Sequence, residues 1–159
     1  MNAVDINAGD ELRDLYRELI LDHARSPRHF GKLDDATHTA FGINPLCGDK
    51  LRLYLRLDDD AKIEAACFEA TGCAISIASA SLLTETVIGL DASQAVEYFD
   101  AVTQRMTQSA EPTASHIDLG KIVALDGVRE FPTRVKCATL AWHALNSALH
   151  NQTSPVTTE

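Results

Sequence analysis

The sequence predicts one globular domain in which a helix leads into a run of strands and further helices follow. Three observations predict it. A chain of 159 residues with 45% hydrophobic content is long enough for one core and short for two. Residues 51–57 alternate leucines with polar side chains, as a half-buried strand does. From Cys73 onward the apolar residues recur at helical spacing.

The first predicted element is an amphipathic helix at about residues 10–25, after a flexible stretch at residues 1–9. Its expected apolar residues are Leu12, Leu15, Leu19 and Ile20. The helix should end near Pro27, because proline disfavours helical backbone angles in the residue before it.

A basic segment follows in this otherwise acidic chain. It consists of Arg25, Arg28 and Lys32, with His23 and His29 nearby. Two interpretations stay open, a docking surface for an acidic partner and a solvated connection between helix and sheet.

The three expected strands span about residues 37–43, 51–57 and 62–70, and Asp58, Asp59 and Asp60 form the turn between the last two. These three aspartates resemble a calcium-binding run. A calcium loop needs further oxygen ligands and a bidentate glutamate at set spacing, so we do not expect calcium here.

The second half of the chain is expected to be helical. Helices are predicted at about residues 73–88, 93–106 and 133–149, with a short helical segment at about 119–128. Residues 108–115 should form a loop and residues 151–159 a disordered tail, which leaves residues 10–150 as a single domain.

Composition excludes several classes of function. The formal net charge of −9 disfavours contact with nucleic-acid phosphates, so DNA and RNA are not expected partners. The first residues lack the features of a signal peptide, and no apolar stretch is long enough to span a bilayer. We therefore expect a cytoplasmic protein with no membrane partner. In a reducing cytosol, four irregularly spaced cysteines are more often metal ligands or reactive groups than disulfides.

The stretch from Asn44 to Asp49 carries the strongest chemical signal. Cys47 and Asp49 flank Gly48, whose backbone freedom lets the two side chains converge on one point. Cys73 and Cys137, each near the expected start of a helix, are the candidates to complete a site. Three thiolates and a carboxylate suit a tetrahedral zinc ion or an iron–sulfur cluster. Spacing alone leaves open that these are core cysteines and a turn aspartate.

A dication held by four anionic ligands leaves a formal excess of roughly −2. Positive helix N-termini, Arg134 and Lys136 are the candidates to offset it. Cys67 is too far along an extended segment from Cys73 to join the set, and we interpret it as a small buried hydrophobe. His143 and His116 are expected to be packing or loop residues.

Three ordered motifs resemble those of the IscU/NifU-type iron–sulfur assembly proteins. They are Cys47-Gly48-Asp49, the segment Gly72 to Ser76, and the segment Arg134 to Trp142. The resemblance covers nearly the whole domain. Lys136 stands where IscU scaffolds have histidine, and the stretch from Cys73 to Cys137 is longer by about one helix, so the chain is most similar to the SufU branch.

The resemblance implies an α+β fold with a three-stranded antiparallel sheet packed against about five helices. It also implies a zinc ion held by Cys47, Asp49, Cys73 and Cys137. SufU-like proteins accept persulfide sulfur from a SufS-type cysteine desulfurase and pass it on to iron–sulfur cluster assembly. In that function we expect Cys47 to receive the sulfur and Arg134 to help balance charge. The alternative is a scaffold that builds a transient [2Fe–2S] cluster on the same ligands.

Overall fold

The structure, a computed structural model, describes residues 3–107 and 117–158, and side chains from residue 11 onward. The α-helices are α1 Ala3–Arg25, α2 Ala74–Val87, α3 Ala92–Thr107 and α4 Pro132–Leu149, and a 3₁₀ helix spans Gly120–Val128. The strands are β1 His38–Asn44, β2 Asp49–Leu57, β3 Ile63–Thr71 and β4 Val156–Thr157. The predicted α+β class and the order of elements are confirmed. Residues 108–115, expected to form a loop, lie outside the described residues together with His116.

The sheet has four strands in the order β3-β2-β1-β4, and it is mixed. Strands β1, β2 and β3 are antiparallel neighbours, whereas β4 pairs parallel to β1. The expected three-stranded antiparallel sheet therefore gains one short strand from residues 151–159, which were predicted to be disordered. The reason is that the edge of β1 offers unpaired backbone groups, and Thr158 N–H donates to Ile43 C=O at 3.2 Å.

The core lies between one face of the sheet and the helices. Leu51, Leu53 and Leu55 of β2 point into it at alternate positions, as the sequence predicts. Helices α2 and α4 pack closely because α2 is rich in alanine and serine. The indole N–H of Trp142 donates to Ser79 Oγ at 3.1 Å, and Ser79 Oγ donates to a backbone carbonyl of α4 at 2.6 Å.

Helix α1 differs from its prediction in length and in the face that it buries. It begins at Ala3, within the stretch expected to be flexible. Leu12 and Leu15 are 48% and 63% exposed, although both were expected to be apolar contacts. The helix packs through Ile20, as expected, and through the fully buried His23, which lies on the same face three residues further along.

The remaining predictions, about the basic segment, membrane spans and the domain bounds, have mixed outcomes. Arg28 pairs with Asp22 at 2.6 Å and His23 is buried, so only Arg25 and Lys32 of the basic segment are exposed with His29. Among the described residues, no helix is long and apolar enough to cross a membrane. A single domain at residues 10–150 stays a prediction.

Candidate metal centre

The turn between β1 and β2 places Cys47 and Asp49 at one end of the sheet. Gly48 has a φ of +71°, a left-handed conformation that glycine adopts without strain, and the chain turns sharply there. Asn44 and Asp49 are opposite each other as the last pair of the β1–β2 ladder. Cys47 is exposed on the turn and Asp49 is fully buried at its base.

Cys73 is the N-cap residue of α2, as expected for the start of a helix. Its Sγ accepts a hydrogen bond from the backbone N–H of Ser76 at 3.5 Å. Its own backbone N–H donates to Asp49 Oδ1 at 2.8 Å, and its Sγ lies 3.8 Å from Asp49 Oδ2. The start of α2 thus binds the buried carboxylate directly.

Gly72 makes this close approach possible. Its φ is +139°, and a Cβ at this position would lie 2.8 Å from the Cα of Asp49. Any side chain would therefore push the start of α2 away from the carboxylate.

Cys137 comes to the cluster from α4 and is fully buried. It lies in the second turn of the helix, which begins at Pro132, and not at the N-terminus as predicted. Proline is favourable at the first helical position, and the helix begins there, one residue before the expected start. Burial is the main reason that the pKa of the Cys137 thiol is raised, and hydrogen bonding to Cys47, Asp49 and Cys73 adds to it.

The structure brings all four predicted residues together, and we call Cys47, Asp49, Cys73 and Cys137 the cysteine–aspartate cluster. Donor atoms of Cys47, Asp49 and Cys137 all lie within 4.8 Å of one another, and the sulfurs of Cys47 and Cys137 are 3.2 Å apart. Cys73 joins through its two contacts with Asp49. Three sulfurs and one carboxylate oxygen form a donor set that fits a tetrahedral metal such as zinc.

The two basic residues expected near the cluster do not bind it through their side chains. Arg134 is exposed on the first turn of α4 and Lys136 is half-buried. Within residues 11–107 and 117–158, neither side chain donates a hydrogen bond to a cluster residue.

Two residues that the sequence excluded from the site, Cys67 and His143, lie elsewhere in the structure. Cys67 lies on β3 opposite Tyr54, and it is half-buried where full burial was expected. Burial raises the pKa of its thiol. His143 packs edge-to-face against Phe99, with ring centres 5.3 Å apart, as expected for a packing residue.

A groove of about 960 Å³ opens beside the cluster, between α1, the 3₁₀ helix and the starts of α2 and α4. Ile75 and Arg134, close in sequence to Cys73 and Cys137, line it together with the exposed ring of Phe131. Sequence reasoning missed this groove, because its walls come from four separate elements.

Sequence reasoning also missed the part played by Asn44. Its side-chain nitrogen lies 3.4 Å from both Asp49 Oδ2 and Cys137 Sγ. Ala40, Gly42 and Asn44 are the buried positions of β1. A polar residue at the last core-facing position of a strand, next to a ligand motif, is the signal that points to it.

Fold and site together define a family. Residues 15–138, which make up most of the chain, match the family described as the NifU-like N-terminal domain. The chain therefore belongs to the family of NifU-like N-terminal domains.

Individual relatives support this membership over nearly the whole chain. The zinc-dependent sulfurtransferase SufU of Bacillus subtilis is 45% identical over 138 residues, covering 87% of this chain and 91% of the relative. The iron–sulfur cluster assembly scaffold protein IscU of Streptococcus pyogenes is 40% identical, covering 87% and 85%. The iron–sulfur cluster assembly scaffold protein for the SUF system of Fervidobacterium islandicum, known from a crystal structure, is 35% identical in sequence. The two structures superpose with a TM-score of 0.76 over 83% of this chain and 94% of the relative.

Proposed function

We propose that this protein is a zinc-dependent sulfur acceptor for iron–sulfur cluster assembly. It takes persulfide sulfur from a SufS-type cysteine desulfurase and passes it to downstream assembly proteins in the cytoplasm. The observation that carries the proposal is the convergence of Cys47, Asp49 and Cys137, with Cys73 in contact with Asp49, in which Cys47 alone of the three thiols is exposed. The 45% identical relative that is named a zinc-dependent sulfurtransferase supports it.

Cys47, Asp49, Cys73 and Cys137 would hold the zinc ion. When bound, zinc would keep the three cysteines as thiolates at neutral pH, where burial alone favours the protonated thiol of Cys137. Asp49 supplies the one oxygen ligand, and the N–H of Cys73 fixes its carboxylate.

Cys47 is the sulfur acceptor in this proposal because a partner can reach it. Cys137 is fully buried and Cys73 is held as a helix cap, whereas Cys47 lies on an exposed turn. The Cys47 thiolate attacks the outer sulfur of the desulfurase persulfide and forms a new S–S bond. The S–S bond of the donor breaks, and its cysteine leaves as a thiolate, so no external oxidant is needed.

Arg134 and the groove beside the cluster fit a docking role for the partner. Arg134 is exposed and lines the groove, where its charge can stabilise the anionic persulfide as it arrives. Leu46, next to Cys47, and Phe131 are 60% and 54% exposed and offer apolar contact area. Arg25 and Lys32, also exposed, would steer an acidic partner despite the net charge of −9.

Mass spectrometry of the reaction with desulfurase and cysteine tests the acceptor. Reactions are quenched by alkylation and compared for wild type, Cys47→Ser and the control Cys67→Ser, whose thiol lies outside the cluster. Persulfide should appear on the Cys47 peptide in wild type and in Cys67→Ser, and transfer should fall at least about tenfold in Cys47→Ser. Persulfide mainly on Cys137, or undiminished transfer in Cys47→Ser, contradicts the proposal.

A scaffold function is the second candidate, and the 40% identical relative named an iron–sulfur scaffold favours it. In that function the cluster residues would hold a [2Fe–2S] cluster as cargo. Metal analysis after aerobic purification separates the two candidates. About one zinc per colourless chain supports the sulfur acceptor, whereas an oxygen-sensitive brown chromophore with iron supports the scaffold.

A further inference from the structure

Asn44 is a buried polar residue at the base of the cysteine–aspartate cluster. It is the last residue of β1 and is fully buried, in the same row as Ala40 and Gly42. Its neighbour Gly42 faces the apolar side chain of Leu140 on α4. An amide at the end of such an apolar row needs a reason, because burying a polar group there disfavours folding.

The amide nitrogen of Asn44 contacts two cluster residues at once. It donates to Asp49 Oδ2 and to Cys137 Sγ, each at 3.4 Å, and its two hydrogens allow one bond to each. The contact to sulfur has ordinary length and the contact to oxygen is long. Turning the amide over would place its oxygen against the carboxylate and the sulfur, so the two acceptors fix its orientation.

The orientation of the Asn44 side chain leaves its amide oxygen buried without a hydrogen bond from any described residue, which disfavours folding. Oδ1 of Asn44 is buried and has no hydrogen-bond partner in the part of the chain that the structure describes. A leucine at this position would avoid the unsatisfied oxygen and continue the apolar row. The contacts of the nitrogen, not packing, therefore explain an asparagine here.

We propose that Asn44 is a positioning residue of the metal centre. Its amide holds Asp49 and Cys137 in orientations that can bind one metal ion, and its two N–H groups offset part of the excess negative charge. The inference rests on the proposed function, since it assumes that the cluster binds zinc. Asn44 supplies donors that Arg134 and Lys136 do not supply from their places on α4.

The same contacts separate the ligands into two kinds. The Asn44 amide and the start of α2 hold Asp49, and the amide also holds Cys137. Asn44 contacts Cys47 through the backbone, since the Cys47 N–H donates to the Asn44 carbonyl at 3.3 Å. Within the described residues the Cys47 thiol receives no hydrogen bond from the Asn44 amide or from the start of α2, so the Asn44 side chain orients Asp49 and Cys137 and not the thiol of the proposed sulfur acceptor.

Two variants test the proposal because they remove the donors in different ways. Asn44→Asp keeps the shape of the side chain but replaces the donors by a second carboxylate, and Asn44→Leu has similar size and no polar atom. The control is Ser147→Ala, which removes a different buried polar group without a partner in the described residues, a hydroxyl ten residues along α4 from Cys137. Co²⁺ and Zn²⁺ affinities are measured by competition with a chromophoric chelator, together with the Co²⁺ absorption spectrum and the melting temperature of the metal-free protein.

We expect both Asn44 variants to bind Co²⁺ and Zn²⁺ about 10–100-fold more weakly than wild type, with an altered Co²⁺ spectrum. Ser147→Ala should bind like wild type, and metal-free Asn44→Leu should melt no lower than metal-free wild type. If Asn44→Leu binds metal with wild-type affinity and spectrum, the positioning role is wrong although the metal centre stands. If wild type itself binds neither metal, the proposed function fails and this inference with it. Should Asn44→Asp not fold, Asn44→Leu decides alone.

Discussion

The two ends of β2 each carry acidic residues beside a hairpin turn, yet among the described residues only one end gathers other candidate metal ligands. At the first end, Asp49 is fully buried and lies against Cys73 and Cys137. At the second end, Asp58 is half-buried and Asp59 and Asp60 are exposed. Both turns join antiparallel strands of the same sheet.

The difference lies in what satisfies each carboxylate. Asp58 Oδ1 accepts two backbone N–H groups of its own turn, from Asp60 and Lys62, at 2.9 Å each. Asp49 instead accepts hydrogen bonds from distant residues, the N–H of Cys73 and the amide of Asn44. A carboxylate whose hydrogen-bond donors belong to its own turn stabilises that turn, whereas a carboxylate whose donors come from other elements can become part of a site.

The largest effect should come from removing each carboxylate in turn. We expect Asp49→Ala to weaken Zn²⁺ binding by more than about 100-fold, since even residues beyond the ligands cost about 10–100-fold. Asp58→Ala should keep wild-type affinity. Because ligands from separate elements meet only in the folded chain, chelation should lower the melting temperature of wild type and Asp58→Ala and barely change that of Asp49→Ala.

Calorimetry or a thermal shift assay with and without chelator checks this. Equal affinities in the two variants, or a wild type that melts at the same temperature with and without zinc, would refute the distinction between the two turns.

A medium effect should come from the glycines near the two ends. Gly72 lies beside Asp49, and Gly89 lies at the far end, where its N–H donates to Ile63 at 2.8 Å. Both have positive φ, so alanine strains either position. Only at Gly72 would the new Cβ also meet neighbours, and we expect Gly72→Ala to cost about 1–3 kcal/mol more in unfolding free energy than Gly89→Ala.

Urea unfolding of the metal-free proteins measures the loss in unfolding free energy. Zn²⁺ titration then measures how far displacement of Asp49 weakens metal affinity. A Gly72→Ala protein as stable as Gly89→Ala, with unchanged metal affinity, would mean that α2 can move without disturbing the site.

Local patterns in the sequence indicated three of the four cluster residues, whereas the complete set was predicted from the resemblance to a known family, because spacing alone left open that they are core cysteines and a turn aspartate. Cys47 and Asp49 flank a turn glycine, and Cys73 follows a glycine at a helix start, so short segments determine their geometry. The strands β1 to β3 and the helix order were predictable for the same reason, since alternation and helical spacing are local patterns.

Other features depend on distant partners and could not be predicted. Strand β4 forms because β2 and β3 leave one edge of β1 unpaired. The face that α1 buries depends on its contacts with α2, such as that between His23 and Ser81. Helical spacing therefore predicted Leu12, Leu15 and Ile20 alike, whereas in the structure Ile20 packs against the core, Leu12 and Leu15 are exposed, and the unpredicted His23 is buried. The contacts of Asn44 likewise require α4 to lie against the end of β1.

The smallest effect should come from a region that belongs to neither end of β2. His23 is fully buried between α1 and α2, where its Nδ1 lies 2.7 Å from Ser81 Oγ and its Nε2 lies 3.6 Å from Glu85. Burial is the main reason that the pKa of His23 is lowered, and Arg28 adds to it against the opposing effects of Glu85 and Asp22.

A lowered pKa means that the unfolded chain takes up the proton first as pH falls. The free energy of unfolding is therefore unaffected by His23 above the usual histidine pKa of about 6.5, and it decreases as pH falls below that value towards the lower pKa of the folded state. Burial of His143 lowers its pKa and acts in the same direction.

Urea unfolding of metal-free protein at pH 7.5 and 5.5 measures the loss of unfolding free energy without any contribution from metal ligation. We expect His23→Gln to lose less stability between these pH values than wild type, and the exposed control His150→Gln to lose as much as wild type. The Asp49→Ala and Asp58→Ala backgrounds should show the same His23 effect. A pH dependence that disappears in Asp49→Ala but persists in His23→Gln would assign it to the cluster end of β2 instead of the contact between α1 and α2.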